Sequence, residues 1–525
     1  MTARRTAVVA LFAVGSLGLV LGQSPAARTA APADDSLEKG MLSVVQAYSL
    51  IEKNYADPVS AEKAIYQGAI PGMLGTLDPH SSFLDPDSWK EMQRRQSARY
   101  FGVGMEITVD AGMVVVSQPM PGSPALAAGL RRGDVIVAVD GQDTRGMDSG
   151  EVANRLRGPR GTPVTVTVKR EGAQATLSMT VTRAAIETSA VDAFWLRPGT
   201  AYLRISTFEA QNVAADVESA LRKLGESSVT ALVLDLRGNP GGLVNEAVAV
   251  AGRYLRDGQT VVSDHGRAQA EQVFRAKPQP NGQKYPMVVL VDRRSASAAE
   301  IVAGALQDHD RAWLIGETTF GKGLVQGQFP LSEDAALLLT IAHYYTPSGR
   351  LIQRDYQHRS FFDYYYAGRN DGPNLADVKA TDSGRKVYGG GGITPDEKYD
   401  APIATAFQRR LGASAAFFRF GSLYFSGRTP ELPENWAPDD GVLDRFRGYL
   451  HQQNFPFTDA EFAADRPFVA RQIRLELYTR AFGRQAADHA GIQGDPEVAR
   501  AIDSLPKAEA LYRQVQQVLA RRIQR

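Results

Sequence analysis

Residues 288–301 read VVLVDRRSASAAEI, and this stretch decides the fold class. Val288 to Val291 is a short apolar run, typical of a strand that is buried on both faces of a parallel sheet. Ser297-x-x-Glu300, which follows, has the form of a capping box that starts a helix. Reactive groups of α/β sheets lie where strands pass into helices. The stretch therefore predicts an α/β core in which Ser297 is either a structural cap or a nucleophile favoured by the helix field.

A similar strand-to-turn segment lies upstream, where residues 234–242 read LDLRGNPGG. An apolar strand runs into glycines, and a helical pattern follows from Asn245 to Tyr254. Backbone N–H groups exposed at a helix start attract negative charge, as an oxyanion hole requires. A turn that only needs glycine for positive φ would have the same sequence. This segment alone leaves both interpretations open.

A third segment, residues 316–326, reads GETTFGKGLVQ and nearly matches the phosphate-binding loop G-x-x-x-x-G-K-[ST]. Gly323 occupies the position of the required hydroxyl, and residues 324–330 do not have a helical pattern, so we exclude a nucleotide site. A lysine between two glycines in an apolar setting loses solvation, which lowers its pKa. The neutral amine of Lys322 could then take a proton from a serine hydroxyl.

Other chemistries find little support in the composition. The chain has no cysteine, which excludes disulfides, thiolate metal sites and cysteine nucleophiles. A formal net charge of +1 argues against nucleic acid as a partner. Among the seven histidines, His80 and His343 are the candidates for a Ser/His/Asp site, but no metal-ligand spacing such as H-E-x-x-H occurs. We expect hydrogen-bonding roles for both, and neither a metal nor a cofactor.

The N-terminus has the features of an export signal. Arg4 and Arg5 precede an uncharged apolar run from Ala7 to Leu21, which is shorter than the 20 or so residues of a comfortable membrane span. Residues 1–30 are therefore predicted to be a cleaved signal peptide or a retained N-terminal anchor. Either alternative predicts an exported protein, and the anchor would associate it with the membrane.

Four further regions follow from the patterns along the 525 residues. Residues 31–96 are helical, and the apolar stripe between Leu37 and Tyr55 fits either core packing or the seam of a homo-oligomer. Residues 97–184 have short alternating strands and turns. Residues 185–400 alternate between strands and helices, and residues 401–525 are mostly helical, with a helix starting at Asp495-Pro496-Glu497.

Six features resemble the carboxy-terminal processing peptidases, also called tail-specific proteases. They are DLRGNPGG, SASAAEI, the 25-residue step from Ser297 to Lys322, GETTFGKGLVQ, YYTPSGRLIQ and GGITPD. They occur in the family's order, and the similarity spans about residues 37–400. The resemblance implies a crotonase-like α/β peptidase core with an inserted PDZ domain. It also implies that Ser297 is the nucleophile, that Lys322 is the general base, that Gln326 orients the lysine, and that the amides of Gly242 and Ala298 form the oxyanion hole.

Residues 100–105, YFGVGM, resemble the carboxylate-binding loop of a PDZ domain. In such a loop the backbone amides, which here are those of Val103, Gly104 and Met105, hold the terminal carboxylate of a peptide. The bound peptide adds to the neighbouring sheet as a strand. A glycine-bearing β-turn would have the same local sequence, and the PDZ-like layout downstream favours the loop.

Together these patterns predict a serine endopeptidase of the bacterial cell envelope or periplasm. Its substrates would be proteins bound by their C-terminal tails and cut through an acyl-enzyme. The alternative is a non-catalytic PDZ scaffold of the envelope that retains the fold. The presence of Ser297, Lys322 and Gln326 together favours the peptidase.

Overall fold

A computed structural model of the chain describes residues 35–523, apart from residues 98, 111, 171, 188, 269, 278–283, 332–333, 358–360, 366–373, 401, 426–429 and 434. The predicted signal peptide or anchor, residues 1–30, lies outside the described residues. No helix among those described is both long enough and apolar enough to cross a bilayer. The chain divides into two compact units, the first ending at Ile70 and the second beginning at Pro71.

The described residues of the first unit are mostly helical. Ser60 caps the second helix by accepting a hydrogen bond from the amide of Lys63. The predicted apolar stripe on the first helix is not buried, since the side chains of Met41, Val44 and Ile51 are 58%, 56% and 49% exposed. The elements are α1 (Asp35–Asn54), α2 (Ala61–Ala64) and a π-helical turn (Ile65–Ala69), and α3 (Ile70–Gly75) runs across the boundary of the units.

A β-rich module is inserted near the start of the second unit. Val164, Val166 and Val168 alternate with polar residues along one strand, and all three are buried in the module's own core. Its main sheet has the order β3-β4-β5-β7-β8, and β2 pairs with β9 where the chain enters and leaves the module. Two elements precede the module, β1 (Ser82–Leu84) and α4 (Pro86–Gln96). The module consists of β2 (Arg99–Gly102), β3 (Met105–Asp110), β4 (Met113–Pro119), α5 (Pro124–Ala127), β5 (Val135–Val139), β6 (Gln142–Asp143), α6 (Ser149–Leu156), β7 (Pro163–Lys169), β8 (Leu177–Thr182) and β9 (Ala184–Glu187).

The α/β part contains a six-stranded sheet of order β10-β11-β12-β15-β16-β21, parallel except between β10 and β11. Strands β12 and β15 are buried at every position because both faces of the sheet are covered. The elements of the whole α/β part are β10 (Val191–Arg197), β11 (Thr200–Ile205), α7 (Val213–Leu224), a 3₁₀ turn (Glu226–Ser228), β12 (Ala231–Asp235), α8 (Val244–Gly252), β13 (Thr260–His265), β14 (Gln272–Arg275), β15 (Met287–Val291), α9 (Ala298–Asp308), β16 (Trp313–Gly316), β17 (Leu324–Pro330), β18 (Ala336–Tyr345), α10 (Phe361–Tyr365), β19 (Asn374–Ala380), β20 (Lys386–Gly389) and β21 (Glu397–Lys398).

A second sheet flanks the first. Strands β1, β18, β13 and β14 follow one another in it, and β17 forms an antiparallel hairpin with β18. This hairpin matters for the site because β17 begins two residues after Lys322. Strand β1 pairs with β18 in register Ser82 to Leu338, which brings the loop before β1 next to the same hairpin.

The C-terminal region is helical and contacts both other parts of the second unit. Val498, Ala501 and Leu505 cover one face of the central sheet. Glu476 pairs with Arg132 of the β-rich module at 2.6 Å. The helices are α11 (Ala406–Gly412), α12 (Ala416–Phe425), α13 (Asp440–Gln452), α14 (Asp459–Ala464), α15 (Arg466–Phe482), α16 (Arg484–Gln493), α17 (Pro496–Asp503) and α18 (Leu505–Ile523).

Candidate active site

The turn after β12 brings Gly242 to the lining of a cleft. Phe208 donates its N–H to Gly241 O at 2.7 Å and accepts from Leu243 N–H at 2.8 Å, forming a parallel bridge to Gly242. The N–H of Gly242 points away from Phe208 in such a bridge. Gly242 has φ +144°, and a Cβ there would lie 2.1 Å from the carbonyl carbon of Phe208. The turn therefore requires glycine at this position.

The turn after β15 places Ser297 at the N-terminus of α9. Ser297 has φ +53° and ψ −115°, a conformation that non-glycine residues rarely adopt and that costs about 1–3 kcal/mol. Its carbonyl oxygen accepts from the Tyr344 hydroxyl at 3.1 Å. The strained turn leaves the side chain half-buried and lining the cleft, at a helix N-terminus that favours negative charge.

Hydrogen bonds join these two turns into one rigid unit. The amide of Ala296 donates to Asn239 O at 2.9 Å, and the Ser295 hydroxyl donates to Leu236 O at 2.8 Å. The Asn239 side chain also accepts from Gly241 N–H at 2.9 Å, so the amide of Gly241 is already engaged. Among the glycines at the end of this turn, Gly242 is therefore the better placed to offer an amide to a ligand.

Glu300 holds the backbone on both sides of the site. Its carboxylate is fully buried and accepts from the amides of Ser297 at 2.8 Å, Lys322 at 2.9 Å and Gly321 at 2.7 Å, and from the Thr319 hydroxyl. Burial raises the pKa of Glu300, and these hydrogen bonds oppose the rise. The capping interaction expected from the sequence thus extends to the lysine segment.

Lys322 has a half-buried side chain. Its Nζ donates to Gln326 Oε1 at 3.0 Å. Burial lowers its pKa, and the charges of Asp78 and Glu300 oppose the shift. Gln326 lies four residues after Lys322, and its side-chain amide returns to the lysine amine. Between these residues the pairing of β17 with β18 is irregular, because the register shifts between Val325 and Gln326.

One cleft of about 1010 Å³ collects the candidate residues. Gly242, Ser297, Lys322 and Gln326 all line it. Ser297 and Lys322, both described, have no hydrogen bond between them, and general bases are often further from their partners before substrate binds. The described residues contain no group of three or more carboxylate and imidazole side chains placed to bind a metal. The arrangement brings a serine hydroxyl, a lysine amine with a lowered pKa and backbone N–H groups to one cleft. These are the kinds of group that acyl transfer requires.

Three family models match parts of the chain. The family model "Peptidase family S41" matches residues 199–357, "PDZ domain" matches 115–170 and "Activating protease CtpB N-terminal domain" matches 21–88. The carboxy-terminal-processing protease of Bartonella bacilliformis is 40% identical over 297 residues, which cover 56% of this chain and 68% of that protein. The chain belongs to the carboxy-terminal processing proteases.

Other relatives extend the similarity across bacteria. The carboxyl-terminal-processing protease of a Synechocystis species is 38% identical over 312 residues, covering 58% of this chain and 72% of that protein. The carboxy-terminal processing protease CtpB of Bacillus subtilis is 32% identical over 337 residues, which cover 63% of this chain and 69% of that protein. The resemblance seen in the sequence motifs is therefore confirmed, and the chain is a serine protease of this family with a PDZ domain.

The PDZ domain of this protease has a small groove. A cavity of about 50 Å³ is lined by the predicted loop residues Val103, Gly104 and Met105, and also by Tyr100, Ile107, Ala153, Leu156 and Arg157. Gly104 has φ +74°, and a Cβ there would lie 2.5 Å from that of Ser123. The loop conformation is thus restricted to glycine at its centre, beside the start of β3, where an added peptide strand would pair.

Two residues near the site make contacts that the sequence does not predict. The sequence predicts Glu300 only as a helix cap, whereas its carboxylate also binds the lysine segment. His80 was noted as a histidine of interest, and the structure places its carbonyl oxygen against the side-chain amide of Gln326. Nothing in a single sequence links His80 to Gln326, because 246 residues separate them. Only the pairing of β1 with β18 brings them together.

Proposed function

We propose that this protease is a serine endopeptidase in which Ser297 is the nucleophile and Lys322 the general base. The observation that carries the proposal is the shared cleft, in which the strained Ser297 faces the same space as the half-buried Lys322. A pKa below the ordinary lysine value increases the neutral fraction of the amine, and only the neutral form accepts a proton.

The reaction begins when Lys322 takes the hydroxyl proton of Ser297 and Oγ bonds to the substrate carbonyl carbon. The resulting oxyanion accepts hydrogen bonds from the amides of Gly242 and Ala298. The C–N bond then breaks, and the leaving amine takes the proton from Lys322. Water then attacks the acyl carbon and gives one proton to Lys322. Lys322 returns that proton to Ser297 Oγ as the ester C–O bond breaks, and the new C-terminal carboxyl group loses its proton to solvent.

Gln326 orients the lysine in this proposal. Its Oε1 accepts from Lys322 Nζ, and its Nε2 donates to His80 O, so the amide is held at both ends. A hydrogen-bonded amine has a restricted position, which is the requirement for rapid proton transfer. The α/β core with its strand-to-helix nucleophile supports the crotonase-like assignment implied by the sequence.

Substrate proteins would be captured by their C-terminal tails in the PDZ groove at Val103, Gly104 and Met105. The names of the relatives, carboxy-terminal processing proteases, support cleavage near such tails. The predicted export signal in residues 1–30 supports a site of action in the bacterial envelope or periplasm. The observed exposure of the apolar stripe on α1 supports a homo-oligomer as an additional proposal.

Labelling with a fluorophosphonate and cleavage of casein test the catalytic proposal together. Ser297→Ala should abolish both, whereas Ser206→Ala, which removes an exposed hydroxyl outside the cleft, should leave both unchanged. Casein cleavage retained by purified Ser297→Ala protein would overturn the assignment of the nucleophile. Absence of both activities in the unmodified protein would favour the PDZ scaffold.

A further inference from the structure

The ring of His80 is held between two tyrosine hydroxyls behind the cleft. Its Nε2 lies 2.8 Å from Tyr364 Oη, and its Nδ1 lies 3.2 Å from Tyr365 Oη. Both tyrosine rings meet the imidazole edge-on, with centroids 5.5 Å and 5.9 Å away. None of the three side chains lines the cleft. They therefore have no direct contact with a substrate in it.

The surrounding donors and acceptors fix the tautomer of His80. Tyr365 has one hydroxyl proton, which it donates to Pro79 O at 3.0 Å. In the hydrogen bond between Tyr365 Oη and His80 Nδ1 the donor is therefore Nδ1, which carries a proton. Nε2 is then the acceptor of the Tyr364 hydroxyl. Gln353 Nε2 donates to Tyr364 Oη at 3.3 Å, which leaves the hydroxyl proton of Tyr364 available for His80 Nε2. Burial, and then the nearby charge of Lys322, lower the pKa of His80 to about 4, so the ring is neutral.

The hydrogen bonds around His80 form a closed circuit with the lysine segment. Lys322 donates to Gln326, and Gln326 donates to His80 O. His80 is bonded through its ring to Tyr364, which accepts from Gln353. Gln353 Oε1 accepts from the amide of Gly323 at 2.9 Å, one residue after Lys322. The circuit therefore begins and ends on the same short segment.

Asp78 fixes the backbone on which this circuit depends. Its Oδ1 accepts from the amides of His80 and Ser81, both at 2.8 Å, and its Oδ2 accepts from the Ser81 hydroxyl at 2.7 Å. Burial raises the pKa of Asp78, but these hydrogen bonds exceed that effect and the net pKa is lowered. His80 is thus held through its backbone amide by the carboxylate of Asp78 and through its ring by the two tyrosines, and its carbonyl bonds to Gln326.

We propose that His80 is a positioning residue, which Tyr364 and Tyr365 lock so that its carbonyl fixes Gln326 and, through it, the amine of Lys322. The inference rests on the proposed function, since it assigns Lys322 the role of base. Loss of the lock frees Gln326, and the amine of Lys322 then moves toward water. A better-solvated amine has a higher pKa, so the neutral form appears only at higher pH.

The test measures the rate of fluorophosphonate labelling of Ser297 between pH 6 and pH 10 for the full chain and its variants. In this reaction the serine oxygen bonds to phosphorus, fluoride leaves and the serine proton passes to the base. Tyr364→Phe keeps the ring packing and removes only the hydroxyl. We expect the midpoint of its rate profile to rise by about 0.5 pH unit or more, with a maximum roughly 3- to 10-fold lower.

His80→Ala should shift the midpoint in the same direction and lower the maximum by about 10- to 100-fold. His80→Gln, which can still accept from Tyr364, should recover part of that loss. In casein cleavage the losses should appear in kcat with KM nearly unchanged, because His80 and the two tyrosines lie outside the cleft. His343→Ala is the matched control, since this histidine of β18 pairs opposite Leu324 and lies outside the circuit.

The outcomes separate this inference from the proposed function. If Lys322→Ala still labels at the normal rate, the proposed base is wrong and the inference fails with it. If Lys322→Ala is inactive but folded Tyr364→Phe and His80→Ala keep the midpoint of the unmodified protein, only the inference is overturned. A lower melting temperature with an unshifted midpoint would likewise assign His80 a structural role alone.

Discussion

The carboxylate of Glu300 accepts a hydrogen bond from the backbone N–H of Lys322, with Oε2 and N 2.9 Å apart, although the residues are 22 positions apart in sequence. The same carboxylate oxygen accepts the amide of Ser297 at 2.8 Å. One buried side chain therefore fixes the backbone positions of both proposed catalytic residues. The relative placement of nucleophile and base depends on a group that itself takes no part in proton transfer.

Glu300→Gln should reduce activity by about 100-fold or more, because one carboxylate oxygen becomes an NH₂ that faces backbone N–H donors. We expect stability to fall by roughly 1–3 kcal/mol from the same mismatch. Casein cleavage and urea unfolding measure the two effects. Glu246→Gln is the matched control, because Glu246 is also buried and accepts an amide, that of Ala214, outside the cleft. Equal losses of activity in both variants would contradict a specific role for Glu300.

The rate of Ser297 acylation should rise with pH through the depressed pKa of Lys322. The neutral amine is the active form, so activity is low below that pKa and reaches a plateau above it. Lys322→Arg should be inactive at every pH, because guanidinium remains charged. Fluorophosphonate labelling against pH provides the measurement. A rate independent of pH from 6 to 10 would exclude titration of a lysine base.

Gly242→Ala should lower turnover by about 100- to 1000-fold, since a Cβ 2.1 Å from the carbonyl carbon of Phe208 must displace the proposed oxyanion donor. Gly225→Ala serves as the control for backbone strain. Gly225 also has positive φ (+77°), but a Cβ there would meet nothing within 4 Å. Its variant should lose stability and keep its turnover. Normal turnover of folded Gly242→Ala would place the donor elsewhere.

Peptides with a free C-terminal carboxylate and a small apolar last residue should bind best to the PDZ groove. The cavity of about 50 Å³ has room for a side chain such as alanine or valine. Fluorescence polarisation with the full-length Ser297→Ala variant measures binding without cleavage. An amidated peptide should bind more weakly, as should one that ends in phenylalanine. Equal affinity for the free and amidated peptides would argue against carboxylate capture at Val103–Met105.

Stability should depend on pH through Glu497, which contacts Arg237 at 2.7 Å. Burial, together with the neighbouring charges of Asp495 and Asp235, raises its pKa from 4.5 to about 7 despite the arginine. A raised carboxyl pKa stabilises the folded state below pH 4.5, and this contribution disappears as pH rises to 7. The urea midpoint should fall over that interval, by a free energy of at most about 3 kcal/mol. Glu497→Gln should remove most of this slope; an unchanged slope would assign the effect to another group.

The sequence alone determined the central elements because their patterns are local. The apolar run before Ser297 predicted the buried strand β15, and the structure has it at Met287–Val291, with α9 beginning at Ala298 after the turn that contains Ser297. The motifs around Ser297 and Lys322 also identified the family, since their order along the chain needs no coordinates. The PDZ-like layout could also be predicted from local patterns. The alternation of apolar and polar residues along β7 indicates which side chains face a core.

Only the tertiary structure decided which distant groups support the site. Glu300 was readable as a cap three residues from Ser297, but its bond to Lys322 depends on how the loop after β16 folds back. His80 meets Gln326 because β1 pairs with β18, and Glu497 meets Arg237 because the C-terminal helices pack on the sheet. Periodicity specifies which face of an element is buried, whereas the partner of each buried polar group is set by the packing of whole elements.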